Sequence, residues 1–173
     1  MERCARGKVG PVDVSVICIG NEYQLDDGFG PAVARRLQER YVFPVNVRVL
    51  DRAMMGYAII PDLMACDVAV VVDALDETGA EPGTVLSFDP DDMAVSGEMM
   101  SLHQVRFADV LESARFMGAR CARGTCFGVQ VVDLGTGTLE RGLSPVVEAA
   151  VEPTVQAVAE YLANDLGCNV RER

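Results

Sequence analysis

The stretch DVAVVVDALDETGAEPGTVLSFD, residues 67–89, decides how the sheet of this protein is wound. Its first eight residues are nearly continuous in β-branched and apolar side chains, as in a strand covered on both faces. The turn-rich run DETGAEPG follows, and TVLSFD forms a second strand. A parallel return within one sheet needs a crossover of about a dozen residues or more, usually a helix. Eight or so turn-forming residues cannot supply it. The strand at 84–89 is therefore expected to run antiparallel to the others.

Working outward, DVSVICIG (13–20) is a second buried strand and NVRVLD (46–51) a third. Phe29, Val33 and Leu37 share one face of a helix that runs to about Tyr41, with Pro31 tolerated in its first turn. GYAIIPDLMAC (56–66) is partly helical, with Pro61 as its weak point. Ser101 and Gln104 have the spacing of a capping box and open a helix to about Met117. CFGVQVVD (126–133) is the fifth strand, residues 134–143 form a Gly/Thr-rich loop, and Ser144-Pro145 starts a helix that Gly167 ends near Leu166. The order β-α-β-α-β-β-α-β-α predicts an α/β fold: a three-layer α/β/α sandwich on a five-stranded, mostly parallel sheet with one antiparallel strand. Residues 1–173 are expected to form a single domain, with 1–12 and 168–173 as peripheral tails.

Composition narrows the function. The 173 residues carry 26 Asp+Glu against 15 Lys+Arg, a formal net charge of -11, with one histidine and no tryptophan. Polyanion binding needs clustered Lys and Arg, so nucleic acid is excluded as a partner, and an anionic membrane surface is disfavoured. Charges interrupt every apolar run before the roughly 20 residues that a spanning helix requires. Residues 1–12 lack the apolar segment of a signal peptide. The six cysteines show no CxxC spacing and read as reduced thiols, which places the chain in the cytoplasm. Cys18 is expected in the core. Cys121 and Cys126, the nearest-spaced pair, read as buried thiols rather than as a metal or redox site.

In a doubly wound sheet the ligand crevice lies beyond the carboxyl ends of the strands, where the strand order reverses. That point falls between the loop after the first strand, with Asp26-Asp27, and the end of the strand that carries Asp73. His103, the single imidazole, lies near a helix start, where the helix dipole favours its neutral, metal-ligating form. Two carboxylates and one imidazole suit a borderline divalent ion such as nickel or zinc. Each residue also has a plainer reading: Asp26-Asp27 as a helix cap, Asp73 as a turn cap, His103 as a surface residue. A dinucleotide site fails, because GFGPAV ends in Val33 where the third Gly or Ala belongs, and neither a Walker A nor a GxSxG sequence is present. A flavodoxin-like nucleotide binder is disfavoured for want of its glycines.

The run IGNEYQLDDGFGPAVARRL (19–37) resembles the GN-x4-DD-G-x-G-P signature of the [NiFe]-hydrogenase maturation endopeptidases. VVVDAL with Asp73, MSLHQV with His103, GVQ at 128–130 and GLSP at 142–145 follow in that family's order, so the resemblance spans about 14–162. It implies an α/β/α endopeptidase that removes the C-terminal extension of the hydrogenase large-subunit precursor after nickel insertion. It further implies Asp27, Asp73 and His103 as metal contacts, Asp27 and Asp73 as the catalytic carboxylates, and a nickel ion supplied by the precursor. A monomer acting on that precursor is the expected state. A non-catalytic protein that checks nickel or scaffolds assembly is the alternative the same residues would serve. The chain departs from the signature in Glu22-Tyr23-Gln24-Leu25, more polar than the family's usual residues there. It departs again in DRAMMG (51–56), which lacks the Gly and Thr of D-x-G-T-x-G.

Overall fold

Every residue of the strands Val14–Ile19 (β1) and Val68–Leu75 (β4) is buried, the mark of strands covered on both faces. The computed structural model describes residues 11–53, 56–89, 107–135, 137 and 139–173. Between β1 and β4 the chain forms a 3-10 turn at Leu25–Gly28 and helix α1 at Phe29–Arg40. The short strand Tyr41–Val42 (β2) and the longer Val47–Arg52 (β3) come next. A 3-10 turn at Tyr57–Ile59 leads into the five-residue helix Ile60–Met64 (α2), whose Pro61 falls at the start, where a missing N–H costs nothing. After β4 come β5 (Val85–Phe88), α3 (Phe107–Phe116), β6 (Arg123–Gln130), α4 (Pro145–Glu160) and β7 (Arg171–Glu172).

The main sheet has the order β3-β1-β4-β6-β5. β1 pairs in parallel with β3 and β4, and β4 in parallel with β6. β5 alone is antiparallel, with Val85 opposite Val129, as the short linker before it requires. The linker carries the chain past β4 to the far side of β6. β1 sits between β3 and β4, so the order reverses there, as the doubly wound reading anticipates. β6 starts three residues earlier than its apolar run: Arg123, Gly124 and Thr125 pair with Val68, Ala69 and Val70 despite their polarity.

Strand alternation divides the core into two layers. Val14, Val16, Cys18, Val70 and Val72 pack with Val33 and Leu37 of α1 and Val151 and Val155 of α4. Ile17, Ile19, Ala69 and Val71 face the other way, onto Leu63 of α2 and Val110 and Leu111 of α3. Helices thus cover both faces of the sheet. The C-terminal helix does not run to Leu166 as a regular helix. After α4 the residues Tyr161–Asp165 form a single π-helical turn, closed by the bond from Leu166 N to Tyr161 O, before Gly167 turns with φ +65°. In the expected C-terminal tail, β7 pairs antiparallel with β2, and Arg40 forms ion pairs with Glu152 and Glu172. The expected capping box at Ser101 and Gln104 lies outside the described residues.

Candidate active site

The loop that leaves β1 folds back onto its own strand because two glycines allow it. Gly20 has φ +138°, and a Cβ there would overlap the carbonyl of Asp27; a Cβ on Gly30 would overlap the carbonyl of Ile19. These glycines, unsuited to a dinucleotide, press α1 and the turn before it onto the end of β1. Asn21 then closes the loop. Its amide donates to Asp27 Oδ2 at 2.8 Å, while its own Oδ1 accepts from Tyr23 N at 3.1 Å. Asp27 is held buried, near the carboxyl end of the strand.

Asp73 arrives from the neighbouring parallel strand. It is the sixth residue of β4, buried, and its Oδ1 accepts from the amide of Ala74 at 2.9 Å. The turn Leu25–Gly28 lies against β4. The fold therefore brings the elements bearing Asp27 and Asp73 together at one edge of the sheet. The third expected member, His103, lies outside the described residues. Among the described residues no group of three or more His, Cys, Asp and Glu side chains is arranged to hold a metal ion.

The two adjacent aspartates divide their work. Neither caps α1, whose N-cap is Gly28 with no side-chain hydrogen bond. Asp26 instead reaches the start of α4. Its Oδ1 accepts from Ser144 N at 2.6 Å, and its Oδ2 accepts from Ser144 Oγ at 2.9 Å, Val132 N at 3.0 Å and Asp133 N at 3.2 Å. Ser144 is the N-cap of α4 and makes no cap bond with its own side chain. The Asp26 carboxylate meets the donors there, in the place where the helix dipole favours a negative charge.

The end of β6 anchors the other loop as well. Gln130 Oε1 accepts from Thr78 N at 3.0 Å and Thr78 Oγ1 at 2.6 Å, and its Nε2 donates to Val131 O at 3.0 Å. The segment after Asp73 is thus tied to the strand beside it. Asp26, Ser144 and Gln130 escaped the sequence reading as site-building residues. Their traces were the first Asp of the DD pair, read only as a crevice or capping residue, GLSP, read only as a helix start, and GVQ, which carried no assigned role.

The polar residues that depart from the family signature have partners of their own. Arg141 stacks on Tyr23, 4.3 Å from the ring centroid, and donates to Glu22 Oε1 at 2.6 Å and to Tyr23 Oη at 3.0 Å. A bridge between Gln24 and Glu140 and the bond from Leu25 N to Glu140 O join the same two segments. Beside them a cavity of about 240 Å³ is lined by Leu25, Gly28, Ala32, Arg35, Arg141 and Leu143, among others. Gly28 places it next to Asp27. At the exposed end of β3, partial loss of solvent and the Glu22 carboxylate push the Asp51 carboxyl above its usual range, against the opposing charges of Arg35 and Arg52.

Comparison with known proteins identifies the family. Residues 31–161 match the model of the hydrogenase maturation protease family. The hydrogenase expression/formation protein HupD of Rhodobacter capsulatus is 35% identical over 155 residues, covering 87% of this chain and 73% of the relative. The hydrogenase 2 maturation protease of Escherichia coli K12 is 30% identical over 150 residues, covering 86% and 90%. Among solved structures, the hydrogenase maturating endopeptidase HybD from E. coli superposes with a TM-score of 0.80 at 29% identity, covering 92% of this chain and 97% of that one. A [NiFe] hydrogenase maturation protease HybD from Thermococcus kodakarensis gives 0.70 at 25% identity, covering 87% and 99%. With its glycine-closed DD loop and mixed five-stranded sheet, the chain belongs to the hydrogenase maturation protease family, and it is an endopeptidase.

Proposed function

We propose that this endopeptidase removes the C-terminal extension of a [NiFe]-hydrogenase large-subunit precursor after nickel has been inserted, and that it recognises the bound nickel. The observation that supports the reading is that the turn bearing the buried Asp27 packs against β4, the strand that carries the buried Asp73 near its carboxyl end. Buried carboxylates at a ligand crevice are suited to a cation and to proton transfer. Asp27, Asp73 and His103 contact the nickel carried by the precursor. One of the two carboxylates also orients the attacking water at the scissile carbonyl and takes its proton. The metal belongs to the substrate, so the enzyme works without a resident cofactor. No helix among the described residues is long and apolar enough to cross a membrane. We place the reaction in the cytoplasm, with a monomeric enzyme.

The test is mass spectrometry of a precursor large subunit, nickel-loaded and nickel-free, incubated with the protein. The reading expects loss of a C-terminal peptide from the loaded form only. Equal cleavage of both forms would overturn nickel recognition, and intact mass in both would favour the non-catalytic scaffold.

A further inference from the structure

At the end of the sheet opposite the carboxylate pair, two cysteines distant in sequence face each other. The parallel register of β4 and β6 sets Val68 opposite Arg123. It continues backward through the hydrogen bond from Ala122 N to Asp67 O at 3.0 Å. One residue further back stand Cys66 and Cys121. Both are buried, at 0% and 1% exposure, and both belong to the core layer beneath α2 and α3. Each thiol has the largest single effect on the acidity of the other. Both cysteines lie two residues before the paired strands begin, whose spacing of about 4.8 Å falls inside the roughly 4.4–6.8 Å between Cα atoms that a disulfide spans. Cys126, the nearer residue in sequence, is not the partner of Cys121. It lies on β6 opposite Val71.

We infer that Cys66 and Cys121 form a dithiol oxidation site, which closes into an intramolecular disulfide when a small peroxide reaches it. With both sulfurs protonated, each thiol has a backbone acceptor, Leu63 O for Cys66 and Arg123 O for Cys121. The surroundings favour loss of the Cys66 proton. The Cys121 thiol, the hydroxyl and amide of Ser15 and the charge of Arg48 hold the Cys66 thiol below its ordinary range, against the opposing effect of burial. Arg48 covers the site from the exposed side, donating from Nη2 to Ser15 Oγ at 2.9 Å and to Ala65 O at 3.2 Å. Arg115 brackets it from α3, donating to the carbonyls of Cys121 and Ala122. Arg48 is exposed, so a molecule as small as hydrogen peroxide reaches the thiols when its side chain swings away from Ser15 and Ala65.

The step balances in two stages. The Cys66 thiolate attacks one peroxide oxygen, the O–O bond breaks, and the departing hydroxide takes a proton to leave as water, giving a sulfenic acid. The Cys121 sulfur then attacks the Cys66 sulfur and the S–O bond breaks. The Cys121 proton leaves with the hydroxyl as a second water, and the S–S bond is formed. Two thiols are oxidised by two electrons and one peroxide is reduced to two waters. The bridge would tie the end of α2 to the start of β6, at the ends of the strands away from Asp27 and Asp73. Oxidation is therefore expected to raise the melting temperature by several degrees and leave precursor processing unchanged.

The decisive experiment treats the full chain with hydrogen peroxide, blocks residual thiols with N-ethylmaleimide in denaturant, and maps non-reduced peptides by mass spectrometry. The expected product joins the peptides of residues 66 and 121, is lighter by two hydrogens, disappears with dithiothreitol, and is missing from Cys66→Ser and Cys121→Ser. The exposed Met117 supplies an internal control. If Met117 becomes a sulfoxide while both cysteines stay fully alkylated, the site does not exist. A sulfinic acid at Cys66 with Cys121 still reduced, or a bridge to any other cysteine, overturns the pairing equally. The wild-type peptide map alone decides between these outcomes, so a variant that fails to fold leaves the test intact.

Discussion

Asp26 and Ser144, 118 positions apart in the chain, are joined twice: the Ser144 amide donates to one oxygen of the Asp26 carboxylate at 2.6 Å and its hydroxyl to the other at 2.9 Å. With Val132 N and Asp133 N bound to the same side chain, this carboxylate clamps the β1 loop, the end of β6 and the start of α4 into one body. Removing it strands three backbone donors, those of Val132, Asp133 and Ser144, at a site where Asp26 itself is 1% exposed. Asp26→Ala is expected to cost about 3 kcal/mol in urea unfolding, and to abolish processing because the next residue along the loop is Asp27. A variant of wild-type stability would show that water replaces the clamp without loss.

Asp27 and Asp73 are expected to behave differently from their neighbour. If their burial serves chemistry, Asp27→Ala, Asp73→Ala and His103→Ala each stop processing of nickel-loaded precursor while the protein stays folded by circular dichroism. The contrast with Asp26→Ala is the informative part, since that variant loses stability and activity together. A folded His103→Ala variant with full activity would remove the imidazole from the trio.

Gly30 tests the steric account of the signature. Its missing Cβ makes room for the carbonyl and amide of Ile19, which are backbone atoms held in β1 and unable to rotate aside. Gly30→Ala must push α1 off the sheet, at a cost of about 3 kcal/mol in thermal or urea unfolding. Gly56→Ala is the control for space, because among the described residues no atom beyond its chain neighbours lies within 4 Å of the Cβ it would gain. Its φ of +89° confines any penalty to local strain. Equal stability of Gly30→Ala and wild type would show that the loop has room to relax.

The sheet was legible because its logic is local: the nine turn-rich residues between two strands are too few for a parallel return, and β5 is antiparallel for that reason. The start of β6 was not. Arg123, Gly124 and Thr125 look unlike a buried strand, yet they complete the ladder with β4 where the sheet reaches solvent and Arg123 is exposed. Within the site, sheet topology pointed to the DD pair and the family resemblance chose Asp27 from it, but neither showed what Asp26 does, since two adjacent aspartates are chemically identical until the fold gives one of them Ser144 and the other Asn21. The same limit hid Cys66. Spacing along the chain drew attention to Cys121 and Cys126, whereas strand register joins Cys121 to a residue on another element.

Asp51, at the end of β3, offers a test of the electrostatics at the crevice edge. Although Asp51 is exposed, partial loss of solvent and Glu22 raise its folded-state pKa above the ordinary 3.8. As pH rises through the ordinary value the unfolded chain ionises first, and the folded protein retains its proton until a higher pH. Folding then takes up a proton, so this residue lowers stability across that window and continues to do so at neutral pH. Asp51→Asn removes the ionisation. The urea midpoint of the variant should exceed that of wild type at neutral pH, and the gain should vanish at pH about 3, where the carboxyl is largely protonated in both states. A variant no more stable than wild type at neutral pH would mean that Arg35 and Arg52 outweigh partial loss of solvent and Glu22, the reverse of the balance inferred for this carboxyl.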